Sequence, residues 1–186
     1  MVHKAKQNWP NKHLGPFDKL LKLFSLYDIK LESIYPTVTI DRMDPRHTLR
    51  IDDNREASIN SEHQDSANYR IYSDGSGHDN GIGASAILYK KGSACPLKSL
   101  QLFMGNSDEH NTYEVEIVGA ILTLWILKKT PAVVGKRVSL YTDNQSLVTT
   151  LPCPKASSGQ HLLGSLCSAI NAIGCKLTIK WISGHS

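Results

Sequence analysis

No two cysteines stand in a C-x-x-C pair, no histidine sits beside one at zinc-finger spacing, and no apolar run is long enough to cross a membrane. Cys95, Cys153, Cys167 and Cys175 are scattered. That spread argues against a disulfide framework or a structural zinc site and for reduced thiols inside a cell. The longest apolar stretch, Ile117 to Leu127, lies between Glu116 and Lys128-Lys129. A bilayer span needs roughly 20 residues, so a buried helix is expected there instead. Met1 to Gln7 contains no apolar core of a signal peptide, so an intracellular, cytoplasmic or nuclear, non-secreted protein is expected. No internal repeat is evident. Gly75-Ser76-Gly77 is not followed by Gly-Lys-Ser/Thr, which argues against a nucleotide-phosphate loop, and His78 and Asp79 read as turn residues.

Strong charge is also missing. Residues 1–69 hold 10 Lys/Arg and 10 Asp/Glu, whereas residues 70–186 hold 11 Lys/Arg against 7 Asp/Glu. The whole net charge of +4 therefore lies in the second part, where it permits a polyanionic partner.

The chain of 186 residues suits one domain with an extension. The first 68 residues read as a connecting segment. Pro16 can open a short helix whose Phe17, Leu20, Leu21 and Phe24 form one apolar stripe. Residues 52–68 are so polar that a mobile linker is expected. From Tyr69 the pattern alternates between strand-like and helix-like segments. Strands are expected at 70–74, 82–89, 99–105, 137–142 and 176–182. Helices are expected at about 112–129, from Gln145, and at about 159–173. Asn111 and Glu114 make a capping box for the first of these, and Pro131 closes it. The order β-β-β-α-β-α-α-β predicts an α/β fold. Its mixed five-stranded sheet has three antiparallel strands, then two parallel ones, flanked by helices.

Two strands end alike, in Tyr72-Ser73-Asp74-Gly75 and Tyr141-Thr142-Asp143-Asn144. Ligands collect beyond the carboxyl ends of parallel strands, so the two aspartates would meet there if these strands are neighbours. An Asp before Gly or Asn also serves as an ordinary turn residue. Glu116 shares a helix face with Gly119 and Ala120, small residues that let this face approach the sheet. Glu114 is accounted for by the capping box. Three converging carboxylates are what a hard divalent cation such as Mg²⁺ needs, together with substrate phosphates. Without a cation they repel, and some stay protonated.

In order and spacing, Tyr72-Ser73-Asp74-Gly75-Ser76-Gly77, Glu116-Ile117-Val118-Gly119-Ala120 and Tyr141-Thr142-Asp143-Asn144-Gln145-Ser146 resemble the ribonuclease H family. Trp181-Ile182-Ser183-Gly184-His185 is similar to its fourth block. The Asp-Gly-Ser-Gly and Thr-Asp-Asn-Gln forms resemble domains attached to reverse transcriptases of fungal LINE-type (non-LTR) retrotransposons. The upstream stretches Leu31 to Ile34 and Asp53 to Ala57 are similar to the linker after their polymerase. The resemblance implies a ribonuclease H domain over 69–186 that hydrolyses the RNA strand of an RNA–DNA hybrid. It implies Asp74, Glu116 and Asp143 as metal ligands and, with His185, as catalytic residues. Gly75, Ser76, Asn144 and Gln145 would contact substrate. The cofactor would be Mg²⁺ or Mn²⁺, two ions in an intact member, with no small-molecule cofactor and no membrane.

The family continues after Gly-His into a loop and a final helix bearing a fourth aspartate, whereas this sequence stops at Ser186 with no Asp or Glu after Asp143. A C-terminally truncated domain is therefore expected. The alternative reading is a catalytically weak or inactive nucleic-acid-binding remnant. A 3′–5′ exonuclease would want Asp-x-Glu on the first strand, where this chain has Asp74-Gly75-Ser76.

Overall fold

The computed structural model describes residues 42–79, 81–106, 111–154 and 160–184. All of them belong to one compact unit, Thr39–Ser186. The stripe expected at Phe17 to Phe24 and the candidate His185 lie outside the described residues.

The elements are β1 (Thr48–Arg50), α1 (Arg55–His63), β2 (Tyr69–His78), β3 (Gly81–Lys90), β4 (Lys98–Asn106), α2 (Thr112–Lys128), a 3-10 turn (Pro131–Val133), β5 (Arg137–Thr142), α3 (Gln145–Thr150), α4 (Gln160–Asn171) and β6 (Lys176–Trp181). The strands form one sheet in the order β1-β6-β5-β2-β3-β4. β2, β3 and β4 are antiparallel neighbours, while β5 runs parallel to both β2 and β6. The expected α/β architecture is thus present, with six strands among the described residues rather than five: β1 adds a parallel strand beside β6.

Alternation decides which face of each strand is buried. Ile82, Ala84, Ala86 and Leu88 of β3 are buried, and so are Ile71 of β2, Val138 and Leu140 of β5, and Leu177 and Ile179 of β6. All of these but Ile82 and Ala84 share the core with Ile117, Leu124 and Leu127 of α2 and with Leu163, Leu166 and Ile170 of α4, while Ile82 and Ala84 pack in a second cluster with Val115 of α2. The Asn111 side chain and Glu114 close a capping box that fixes where α2 begins, which places Glu116 in its first turns. Among the described residues no helix is long and apolar enough to cross a membrane.

Residues 52–68, expected to be a mobile linker, instead carry α1 and an ordered approach to β2. Asn54 caps α1 by accepting from the Ala57 N–H at 2.8 Å. The partners that hold this segment are polar, which is why its polarity reads as solvent exposure. The Tyr72 hydroxyl donates to Glu62 at 2.6 Å, and the Tyr141 hydroxyl donates to Asp65 at 2.6 Å. The Lys180 ammonium lies 3.4 Å from the same Asp65 carboxylate. Burial alone would raise the Asp65 pKa. Hydrogen bonds from Ser139, Tyr141 and the Ala67 N–H, with the Lys180 charge, outweigh that and hold it at about 2.

Candidate metal centre

Sheet register brings the two aspartates together. β2 and β5 pair in parallel up to Tyr72 opposite Tyr141. Two residues further along each chain stand Asp74 and Asp143, on the same face as those tyrosines. The tyrosine rings stack at 5.1 Å with 16° between their planes, and the Ser73 hydroxyl donates to the Tyr141 carbonyl at 3.3 Å. The loop beyond β5 is held from both sides. The Trp181 indole N–H donates to the Asp143 carbonyl at 3.0 Å, and the Asn144 side chain caps α3 by accepting from Leu147 N–H at 2.9 Å.

Glu116 reaches these aspartates from α2 because the helix sits close to β2. A Cβ added at Gly119 would lie 3.3 Å from the Asp74 carbonyl oxygen, and one at Gly75 would lie 3.1 Å from the Glu116 carboxyl carbon. Glycine at both positions removes the atoms that would hold helix and strand apart. One carboxylate oxygen from each of Asp74, Glu116 and Asp143 can be chosen so that all three lie within 4.8 Å of one another. The aspartates are exposed and Glu116 is buried, with Oε2 lacking a hydrogen-bond partner among the described residues. Burial, and then the charges of Asp143 and Asp74, push the Glu116 pKa up to about 7 against a partial offset from the Gly75 N–H.

An unpartnered buried oxygen beside two exposed carboxylates has the hardness and charge that a divalent cation requires. Among the described residues the donor set is all oxygen, with no thiolate or imidazole in the cluster. That composition suits Mg²⁺ or Mn²⁺ rather than zinc. Gly119→Ala is expected to push α2 off β2, destabilising the protein by about 1 kcal/mol. The misplaced carboxylate should cost more in divalent-metal affinity than in stability. Urea midpoints and Mn²⁺ affinity measured together would check this.

Comparison with known proteins adds the fold. No protein-family model matches the sequence, and a search of curated proteins finds no match either. Among solved structures the chain is similar to LC11-RNase H1 in complex with an RNA/DNA hybrid, at 14% identity and a TM-score of 0.52, covering 62% of this chain and 85% of that one. The N-terminal RNase H domain of Rv2228c from Mycobacterium tuberculosis is similar at 16% identity and a TM-score of 0.51, covering 63% of this chain and 84% of that one. Prototype foamy virus protease-reverse transcriptase is similar at 16% identity and a TM-score of 0.51, but the match covers only 18% of that longer chain and 64% of this one. This is a ribonuclease H fold.

On that fold the remaining candidates take different positions. Gly75 is half-buried against Glu116, and Ser76 is exposed further along β2. Asn144 is engaged as a helix cap, and Gln145 is exposed at the start of α3. His185 lies outside the described residues. The groove beside the carboxylates also contains groups that sequence reasoning missed: Glu62, Tyr72 and Tyr141 line it with Asp74, Asp143 and Gly184. The tyrosines were signalled by the repeated Tyr-x-Asp, which places each on the face of its aspartate. Glu62 had no such signal, because its approach depends on α1 packing over the sheet. Among the described residues no fourth carboxylate joins the cluster.

Proposed function

We propose that this chain carries a divalent-metal-dependent ribonuclease H that hydrolyses the RNA strand of an RNA–DNA hybrid. The observation that carries the reading is the convergence of Asp74, Glu116 and Asp143 within 4.8 Å on a ribonuclease H fold. The unpartnered Glu116 oxygen supports it. Asp74, Glu116 and Asp143 would hold the cation, Mg²⁺ or Mn²⁺. When bound, it supplies an activated water and charge stabilisation for the leaving oxygen.

The chain's own residues do the positioning. The stacked Tyr72 and Tyr141 keep β2 and β5 in register beneath the aspartates, and Trp181 fixes the backbone at Asp143. Gly75 and Ser76 on one side, with Asn144 and Gln145 on the other, border the carboxylates where substrate phosphates would enter. The net charge of +4 favours a polyanion without reading its sequence. The Asp-Gly-Ser-Gly and Thr-Asp-Asn-Gln motifs support an origin in a LINE-type retrotransposon, with the early residues linking the domain to a polymerase.

The test is incubation of the purified chain with an end-labelled hybrid in Mg²⁺, Mn²⁺ or EDTA. Metal-dependent cutting of the RNA strand alone, sparing the DNA strand, is expected. An intact hybrid under every metal condition would overturn the hydrolase reading in favour of a binding remnant.

A further inference from the structure

Helix α1 precedes the long strands, yet it reaches the carboxylate groove. Ser58 and Glu62 are four residues apart and so share one face of the helix. Ser58 is buried, and its Oγ accepts from the Ser183 N–H at 3.4 Å. The next residue, Gly184, lines the groove so close to Asp143 that an added Cβ would lie 2.8 Å from its Oδ2. Glu62 lines the groove itself, together with Asp74 and Asp143. The Tyr72 hydroxyl donates to Glu62 Oε1 at 2.6 Å. Tyr72 and Asp74 share a sheet face by alternation, and their neighbours across β3, Ile87 and Ser85, line the same groove. Glu62 therefore approaches from the face that carries the aspartates.

The groove is acidic without a counter-charge. Its lining includes Glu62, Asp74 and Asp143 and, among the described residues, no lysine, arginine or histidine. Glu116 joins the two aspartates with its buried Oε2 unpartnered among the described residues. Like charges gathered in this way repel unless a cation lies between them. The other acid of the same segment is neutralised, since Asp65 lies 3.4 Å from Lys180 and 4.0 Å from Arg70. Glu62 has no ion-pair partner among the described residues. Its neutral partner, Tyr72, fills one of the carboxylate's roughly four lone-pair positions. Glu62 also stands outside the set of three carboxylates whose oxygens lie within 4.8 Å of one another. That is where a group contacting a cation's water shell belongs. A water on Mg²⁺ sits at about 2.1 Å and donates to a carboxylate at about 2.6 Å, so such an acceptor stands about 4–5 Å from the ion.

We infer that Glu62 is a further carboxylate of the metal centre, a positioning residue that accepts from waters on the cation held by Asp74, Glu116 and Asp143. The inference rests on the proposed function for the presence of that cation. Tyr72 pins one oxygen of Glu62, which leaves the other for the water shell. The negative charge also draws the cation to the groove, an effect of a few-fold in affinity for charges several ångströms apart near a protein surface. Residues 55–63 then belong to the metal-binding unit, although they precede its first aspartate strand.

The test is Mn²⁺ affinity of the full chain without nucleic acid, read from the electron paramagnetic resonance signal of the free ion. Glu62→Gln keeps an acceptor for Tyr72 and removes the charge. It should bind Mn²⁺ on the order of fivefold more weakly, with a melting temperature in EDTA no lower than that of the unsubstituted chain. Glu62→Asp keeps the charge and should stay within about twofold. Glu56 is exposed on another face of α1, so Glu56→Gln removes the same charge away from the groove and should leave the affinity unchanged. Unchanged affinity in Glu62→Gln would overturn the inference, as would an equal loss in Glu56→Gln or Glu62→Asp, or a loss accompanied by a lower melting temperature. The two readings fail separately. An unsubstituted chain that binds no Mn²⁺ would overturn both, whereas hybrid left uncut in Mg²⁺, with Mn²⁺ affinity still dependent on Glu62, would strike only the hydrolase.

Discussion

Asp143→Asn is expected to reduce metal-dependent hydrolysis of an RNA–DNA hybrid by at least about a thousandfold while leaving the melting temperature within a few degrees. The carboxylate is exposed at the end of β5, outside the core, and the main chain there is held through the Asp143 carbonyl by Trp181. Asparagine keeps the shape and removes the negative charge. A metal centre contributes several kcal/mol of charge stabilisation, and about 1.4 kcal/mol corresponds to a tenfold change in rate. Losing one of three charged ligands therefore projects to about three decades or more. Turnover at saturating hybrid and Mg²⁺, with a thermal melt of the same preparation, checks both halves. A variant that retained a tenth of the activity would remove Asp143 from the metal's ligands.

Glu116→Gln is expected to move stability and function in opposite directions. The carboxyl is buried, and its pKa in the folded chain is about 7 because burial and the two aspartates disfavour its charged form. In the unfolded chain it titrates near the ordinary glutamate value of about 4.3. Between those values the folded state binds more protons than the unfolded one, so metal-free stability falls as pH rises through that window. Below it the penalty vanishes, and above about pH 7 it is fully present. The shift corresponds to on the order of 3–4 kcal/mol. Glutamine carries no charge and so should stabilise the metal-free protein by about that amount at pH 8, with little effect at pH 4. Denaturant titrations at the two pH values in EDTA measure this. An equal or lower midpoint for the variant at pH 8 would contradict the burial of an unbalanced charge. The same substitution should abolish the stabilisation by added Mg²⁺, because a ligand that binds only the folded state raises stability by mass action.

The aspartates were legible in the sequence because β-strand chemistry is local. Each Tyr-x-Asp ends a run of alternating apolar residues, and period two puts both members on one face. Glu116 was legible for a different reason, since Gly119 and Ala120 at helical spacing mark the face that must come close to the sheet. The capping box at Asn111 and Glu114 separated the structural glutamate from the site glutamate. What was not legible was everything held by polar contacts at long range. Asp65, Tyr141 and Lys180 come from three separate segments, and nothing within any one of them signals a buried ion pair. Lys180 occupies an outward position of β6 and reads as solvent-facing, although α1 and the residues after it cover that face. β1 was missed because three residues carry too little periodicity to register as a strand.

The measurement that bears most directly on the account is a Mn²⁺ titration followed by electron paramagnetic resonance, in which only the free hexaaqua ion gives the strong six-line signal. Addition of the chain should quench that signal, and excess Mg²⁺ should restore it. Asp74→Asn and Asp143→Asn should each weaken the quenching by at least about tenfold. A six-line signal unchanged by the chain, or equal quenching by both variants, would mean that the three carboxylates do not form a divalent-metal centre.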